Sequence, residues 1–274
     1  KDSTIWNVPV ITNIEGEINK TLLTSKSTTL GTPTTKWVKI NNGESGFYRT
    51  SYSQELLERL HSPILEKKIH HLDRLGIIRD LFALSEAGII PTTDTLGFLS
   101  AYKNEDNYIV LSEIASGLSK IEQTFGSKNN TEYFNKLNIE LFKPLFIQLG
   151  WDKKIDEKHT DTLLRSLAIS RLGLSGEISI LKEARKKFND FLKGKDLDPN
   201  IRTAVYAIVA KYGGIKEYKQ LTNLYNKQNL HQEKNRIGIS LGEFEDDKIL
   251  CQVAEFAISS NVRQQDSVGI LSGI

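Results

Sequence analysis

"NNGESGFYRTSY", residues 41–52, marks the place where the sequence changes period. Before it, apolar and polar residues alternate. After it, apolar residues recur every three or four positions almost to the last residue. Upstream, "TIWNVPVITNI" (4–14) puts Trp6, Val8 and Val10 on one face and Asn7 and Pro9 on the other. That is strand spacing, and Pro9 marks an edge. Residues 20–30 and 36–41 are further strand candidates, and 46–52, after the Asn42-Gly43 turn signal, is a fourth. Such a sheet is small and antiparallel. It needs a second layer, from the helices that follow or from strands upstream.

From Gln54 onward the pattern is helical. "DRLGIIRDLFALSEAG" (73–88) places Leu75, Ile78, Leu81, Phe82 and Ser85 on one stripe. Asp73 is the expected cap of its start, and Gly88 and Pro91 end it. A short helix capped by Thr93 or Asp94 follows, then a longer one after "EDN", then one over "TEYFNKLNIELFKPLFIQLGW" that Pro144 is expected to kink. Further helices are expected at 159–173, 176–193, 200–212, 215–227, 231–242 and 246–259, with another beginning near the end. Asp198-Pro199 reads as a helix start and Gly213-Gly214 as a stop. Successive helices without intervening strands stack as antiparallel pairs. One pair takes roughly 35–40 residues, near the period of HEAT-like and armadillo-like arrays, though no exact repeat is readable.

The 274 residues are 39% hydrophobic and 26% charged, an ordinary globular composition. Mean hydropathy is −0.33. No apolar run approaches the roughly 18 residues a membrane span needs, and no signal peptide is visible. Net charge is +2, with the two signs interspersed. This argues against phosphate neutralisation, so neither nucleic acid nor membrane is an expected partner. With no methionine, the chain is expected to be a piece of a longer polypeptide. The single cysteine, Cys251, excludes an intrachain disulfide and points to a reducing, cytoplasmic compartment. It falls in an apolar helical run, where a buried thiol acting as a small hydrophobe is expected.

The five histidines, His61, His70, His71, His159 and His231, form no His-Glu-x-x-His helix and no zinc-spaced cluster. Adjacent helical residues such as His70 and His71 point about 100° apart, a poor arrangement for sharing an ion. His231 reads as a helix start. Phosphate-loop, dinucleotide and nucleophile-elbow signatures are absent from the sequence. No catalytic centre and no metal ligand is assigned.

Several phrases, in order, resemble the gluzincin zinc aminopeptidases: the puromycin-sensitive enzymes, aminopeptidase N and the tricorn-interacting factors. "WVKINNGESGFYRTSYS" (37–53) resembles that family's Trp-Val-Lys-x-Asn strand followed by Gly-Phe/Tyr-Tyr-Arg-Val-x-Tyr. "DRLGIIRDLFALSEAG", "LSAYKNEDNYIVLSEIASGL" (99–118), "LFIQLGWD" (145–152), "RSLAISRLGLSG" (165–176) and "VRQQDSVGILSGI" (262–274) resemble later landmarks. The resemblance implies a mostly α chain: a partial, N-terminally truncated antiparallel β-sandwich over 1–52 and an irregular HEAT/armadillo-like helical superhelix over 53–274.

The resemblance implies the C-terminal, non-catalytic region of an enzyme that removes N-terminal residues from peptides. Zinc and the catalytic motifs belong to the part of the family that these residues do not match. The catalytic domain of the same polypeptide and peptide substrates are the implied partners. A stand-alone helical-repeat scaffold for protein interaction is the alternative. A zinc-free relative with its histidines replaced is a third possibility. Within the matched motifs, alternation puts one of Phe47 and Tyr48 in the sandwich and the other against the first helices. Arg49 is expected to pair with a carboxylate across that junction. Arg74 is expected to hydrogen-bond between helices, and Glu105 to sit at a helix start. Together with Asp73 these are candidate structural or interdomain residues.

Overall fold

In a computed structural model the described residues are 5–30, 36–126 and 130–274. They fall into two compact units, 1–126 and 127–274.

The first unit opens with strands β1 (Val8–Ile14), β2 (Glu17–Leu23) and β3 (Val38–Ile40), ordered β2-β1-β3 and antiparallel throughout. β1 is the central strand, which corrects the edge reading of Pro9. Pro9 pairs with Leu22 on β2, while β3 reaches only Thr12–Ile14, so among the described residues Pro9 has no ladder partner on the β3 side of β1. A residue without an N–H is tolerated there. β2 stops at Leu23, short of the expected 30, and Thr4 lies outside the described residues.

The fourth strand does not form. Residues 46–52 are irregular: Arg49 and the Thr50 amide bond to Asp80 on the second helix, and Gly46 bonds to the Asn41 side chain, rather than to a ladder. Asn42–Glu44 instead makes one 3₁₀ turn with Gly43 at φ +71° and Glu44 at +54°. Asn41, at φ +60°, closes this loop: its side-chain amide donates to Gly46 O at 3.0 Å and accepts from Gly46 N at 2.7 Å.

Helices α1 (Gln54–Leu65), α2 (His71–Glu86), α3 (Thr92–Phe98) and α4 (Tyr108–Phe125) complete the unit, with a 3₁₀ turn over Leu99–Tyr102. α1 packs on β3, and α2 contacts the 42–44 turn, α3 and α4. α1 thus covers the β3 end of the sheet, while β2 stays largely exposed. α2 is buried on nearly every side: Leu75, Ile77, Ile78, Leu81 and Leu84 are each at most 8% exposed. Each contributes about 1.5–3 kcal/mol of burial. The cap of α2 is His70, whose Nδ1 accepts from Leu72 N, not Asp73. Asp73 is turned inward to the sheet side. α3 follows Pro91 without a side-chain cap, so neither Thr93 nor Asp94 has the expected role. Gly88, at φ +69°, ends α2 as the sequence predicts, with Ile89 N reaching back to Leu84 O.

The second unit is all helical among the described residues: α5 (Thr131–Leu149), α6 (His159–Leu174), α7 (Ile178–Leu192), α8 (Arg202–Lys211), α9 (Ile215–Lys227), α10 (His231–Leu241), α11 (Asp247–Ala257) and α12 (Gln264–Leu271). Helices α6, α8, α10 and α12 stack in succession, and α5, α7, α9 and α11 each pair with the next helix in sequence. This is a two-layer array of helix pairs. α8 is sealed from Ala204 to Ala210 because α6, α7, α9 and α10 all pack against it. α6 and α8 approach so closely that a Cβ on Gly173 would stand 2.1 Å from Ile208 Cδ1. α5 runs unbroken through Pro144. Asp198 closes a turn onto Asn200 N rather than capping α8, which begins at Arg202. Cys251 is exposed, contrary to expectation. α11 buries Ile249, Val253 and Ala257, and Cys251 sits about 200° around the helix from Ile249.

Candidate functional site

Six matched residues were candidates, and four of them converge on α2. Asp73, Gly76 and Asp80 are spaced i, i+3, i+7, so they share one helix face. That face meets the 41–50 loop.

Its first anchor is Asp73, which accepts from Gly43 N at 2.6 Å. Beside it lies Lys39, only 1% exposed. The Lys39 ammonium donates to Ile40 O (2.6 Å), Asn41 O (3.1 Å) and Glu44 Oε1 (2.7 Å), and stands 3.8 Å from Asp73 Oδ1. A buried ammonium is tolerable only with its donors satisfied and opposite charge at hand. Both conditions hold here. The Glu44 carboxylate fits because Gly76 has no side chain: a Cβ there would fall 1.8 Å from Glu44 Oε1.

The second anchor is Asp80. It accepts from Arg49 Nη1 at 3.0 Å and from Thr50 N at 2.8 Å. Arg49 is half exposed, so its ion pair is screened. The bond from the buried Thr50 amide carries more of the energy, about 1.5–3 kcal/mol for a charged acceptor.

The third anchor faces the other way. Arg74 forms a bidentate pair with Glu105, Nε to Oε2 and Nη2 to Oε1, both at 2.7 Å, and donates Nη1 to Ile69 O at 2.6 Å. Both side chains are nearly inaccessible, at 6% and 1%. Glu105 Oε1 also accepts from Asp106 N (3.0 Å) and Asn107 N (2.9 Å), just ahead of α4. Tyr102 donates to Arg74 O at 2.8 Å, and burial pushes its phenol well above the ordinary range. Tyr52 ties the loop to the sheet by accepting from Ile40 N at 3.0 Å; its pKa too is raised, first by burial.

Phe47 and Tyr48 stand apart from these anchors. Phe47 is fully exposed and Tyr48 half-buried. Burial alternates along 46–52 although no strand forms, and Phe47 falls on the outward side, so it is not a core residue. Lys39, Glu44 and Asp80 were not singled out by the sequence. The available signal was the seven-residue spacing of Asp73 and Asp80 with a glycine between, on a helix too apolar to be one-sided.

In the second unit, buried Glu233 gathers the Tyr206 hydroxyl (2.8 Å), Arg236 (3.1 Å) and Arg202 (3.4 Å). Arg165, fully buried, pairs with Glu157 and the carbonyls of Leu149 and Gly150. In all of these clusters the charges are occupied in joining segments. Among the described residues no group of three His, Cys, Asp or Glu side chains is arranged to hold a metal. The zinc implied by the family resemblance therefore has no fitting site in them, and no step is derived through it. No helix among the described residues is long and apolar enough to cross a membrane.

Comparison with known proteins gives a family-model match over residues 37–274, described as an ERAP1-like C-terminal domain. The chain is 32% identical over 246 residues to aminopeptidase M1-A of Oryza sativa subsp. japonica, covering 87% of this chain and 28% of that protein. It is 34% identical over 250 residues to aminopeptidase M1 of Arabidopsis thaliana (88% and 28%). It is 30% identical over 242 residues to the puromycin-sensitive aminopeptidase of Caenorhabditis elegans (87% and 26%). The chain thus spans under a third of the length of these relatives.

Proposed function

The chain belongs to the ERAP1-like C-terminal domain family, and we propose that it is the non-catalytic C-terminal region of a zinc aminopeptidase that removes N-terminal residues from peptides. The observation that carries this is the match to a C-terminal domain family over 37–274, with aminopeptidases as the similar proteins. Zinc and the groups that act on the peptide bond are held by the catalytic domain of the same polypeptide, outside this chain. The helical lobe closes over that domain and shapes the access of peptides to it. Residues 1–52 are the sandwich-derived portion and 53–274 the lobe.

In this reading the anchors on α2 are the joint that sets the lobe's angle. Arg49, Asp73, Arg74 and Glu105 fix it internally. Phe47, fully exposed, and its neighbour Tyr48 offer apolar contact to an adjoining domain. The compartment is the cytoplasm, with neither nucleic acid nor membrane as partner. A stand-alone scaffold is not favoured, because the similar proteins bear aminopeptidase names.

The upstream reading frame tests this. A His-Glu-x-x-His helix there supports it, and a frame with no catalytic domain overturns it. In the full-length protein, Asp80→Ala is expected to alter the dependence of turnover on peptide length more than turnover of a single-residue fluorogenic substrate.

A further inference from the structure

Between α1, α2 and α3 the first unit holds an open cavity of about 610 Å³. That is the size of a site for a drug-sized molecule. Its apolar walls are Leu57, Leu81, Leu84, Ile90 and Phe98, three of them deeply buried. Gly97, on α3, leaves the mouth clear: a Cβ there would meet nothing within 4 Å. The Tyr52 ring closes one end, its hydroxyl engaged with β3.

The polar lining is one-sided in charge. Glu58 from α1 and Asp94 from α3 line the cavity, and no lysine or arginine does. Neither carboxylate has an ion-pair partner among the described residues. His61 also lines the cavity. The Ser100 hydroxyl donates its hydrogen to Gly97 O at 2.8 Å, so at 2.9 Å from His61 Nε2 it must accept. Nε2 therefore carries the hydrogen of that bond. Apolar walls with two carboxylates and no basic side chain match a ligand that is apolar along its body and a cationic donor at its end.

We infer that this cavity binds a primary ammonium carried on an aryl or alkyl chain, either a free amine or the lysine side chain of a peptide. The inference stands independently of the aminopeptidase reading. It is tested on the 274-residue chain by ¹H–¹⁵N NMR titration with three isosteric probes: 4-phenylbutylamine, 4-phenylbutan-1-ol and 4-phenylbutanoate. The amine is expected to bind saturably in the millimolar range, shifting resonances of α1 and α3, with the acid about tenfold weaker or more. Gly97→Leu, which fills the mouth from a helical position, is expected to abolish binding. Glu58→Gln with Asp94→Asn, both on exposed positions and so independent of core packing, is expected to weaken the amine about tenfold and leave the alcohol unchanged. Competition by the blocked dipeptide acetyl-Phe-Lys-amide assigns the site to lysine side chains; binding of the free amine alone assigns it to small molecules. Equal binding of acid and amine, amine binding that survives Gly97→Leu in a chain with native circular dichroism, or no binding of either cation overturns the inference.

Discussion

The pair Arg74–Glu105 gives the sharpest mutational test, because the two partners are not equally well provided for. Arg74→Ala removes three charge-assisted bonds at once, two to Glu105 and one to Ile69 O. Glu105 is then left buried, but it keeps the Asp106 and Asn107 amides as donors. Glu105→Ala does the opposite. It leaves a guanidinium, 6% exposed, with a single carbonyl partner, and it strips two amides ahead of α4 of their acceptor. Breaking a buried pair costs about 3–5 kcal/mol. Arg74→Ala should lie near the lower end of that range and Glu105→Ala near the upper. Replacing both by leucine removes the unpaired charge, so the double variant should be less destabilised than the sum of the singles by about 2–3 kcal/mol. Urea unfolding followed by circular dichroism measures the three costs. Hydrogen exchange in α2 and α4 locates them, which matters because two compact units need not unfold together. A cost for Arg74→Ala below about 1 kcal/mol, or one larger than for Glu105→Ala, refutes the reasoning.

Three further outcomes follow from single contacts. Gly76→Ala should destabilise by about 1–3 kcal/mol through the clash with the Glu44 carboxylate held by Lys39, although alanine at an open helix position gains about 1 kcal/mol; thermal unfolding reads the sign. Tyr206→Phe should cost about 1–2 kcal/mol, since it removes the hydroxyl donated to Glu233 while both arginines stay. The Arg165 hydrogen bond holds the Glu157 carboxyl below its ordinary value of 4.5. Its folded pKa is thus lower than its unfolded one, so its contribution is complete above pH 4.5 and is lost as pH falls through the folded value. Glu157→Gln should therefore separate from the parent in urea midpoint at pH 6, and the gap should narrow as pH is lowered below 4.5.

Helices were the legible part of this chain. Their periods are long and their stops strong, as at Gly88 and Gly213-Gly214, and the expected spans for α6 to α11 lie close to those that form. The fourth strand was not legible. Alternation over 46–52 looked like a ladder, but Thr50 N and Arg49 are taken by Asp80, a partner 30 residues away in sequence. Asp73 looked like a cap by its position before an apolar run. The inward turn that gives it to Gly43 depends on the αL conformations of the 41–44 loop, which sequence alone does not place against α2. Cys251 shows the same limit at one residue. An apolar run was visible, but the face its helix turns to solvent was set by neighbours on α10 and α12. Arg49, Arg74 and Glu105 were picked out by resemblance, and their partners emerged only from packing.

The central claim is that these residues form a supporting region of an aminopeptidase whose chemistry lies elsewhere in the polypeptide. The most direct test is hydrolysis of aminoacyl-coumarin substrates by the purified 274-residue chain, with and without added zinc. Release of coumarin no faster than the protein-free blank is the expected result. Robust turnover that follows this chain through successive purification steps would contradict the account.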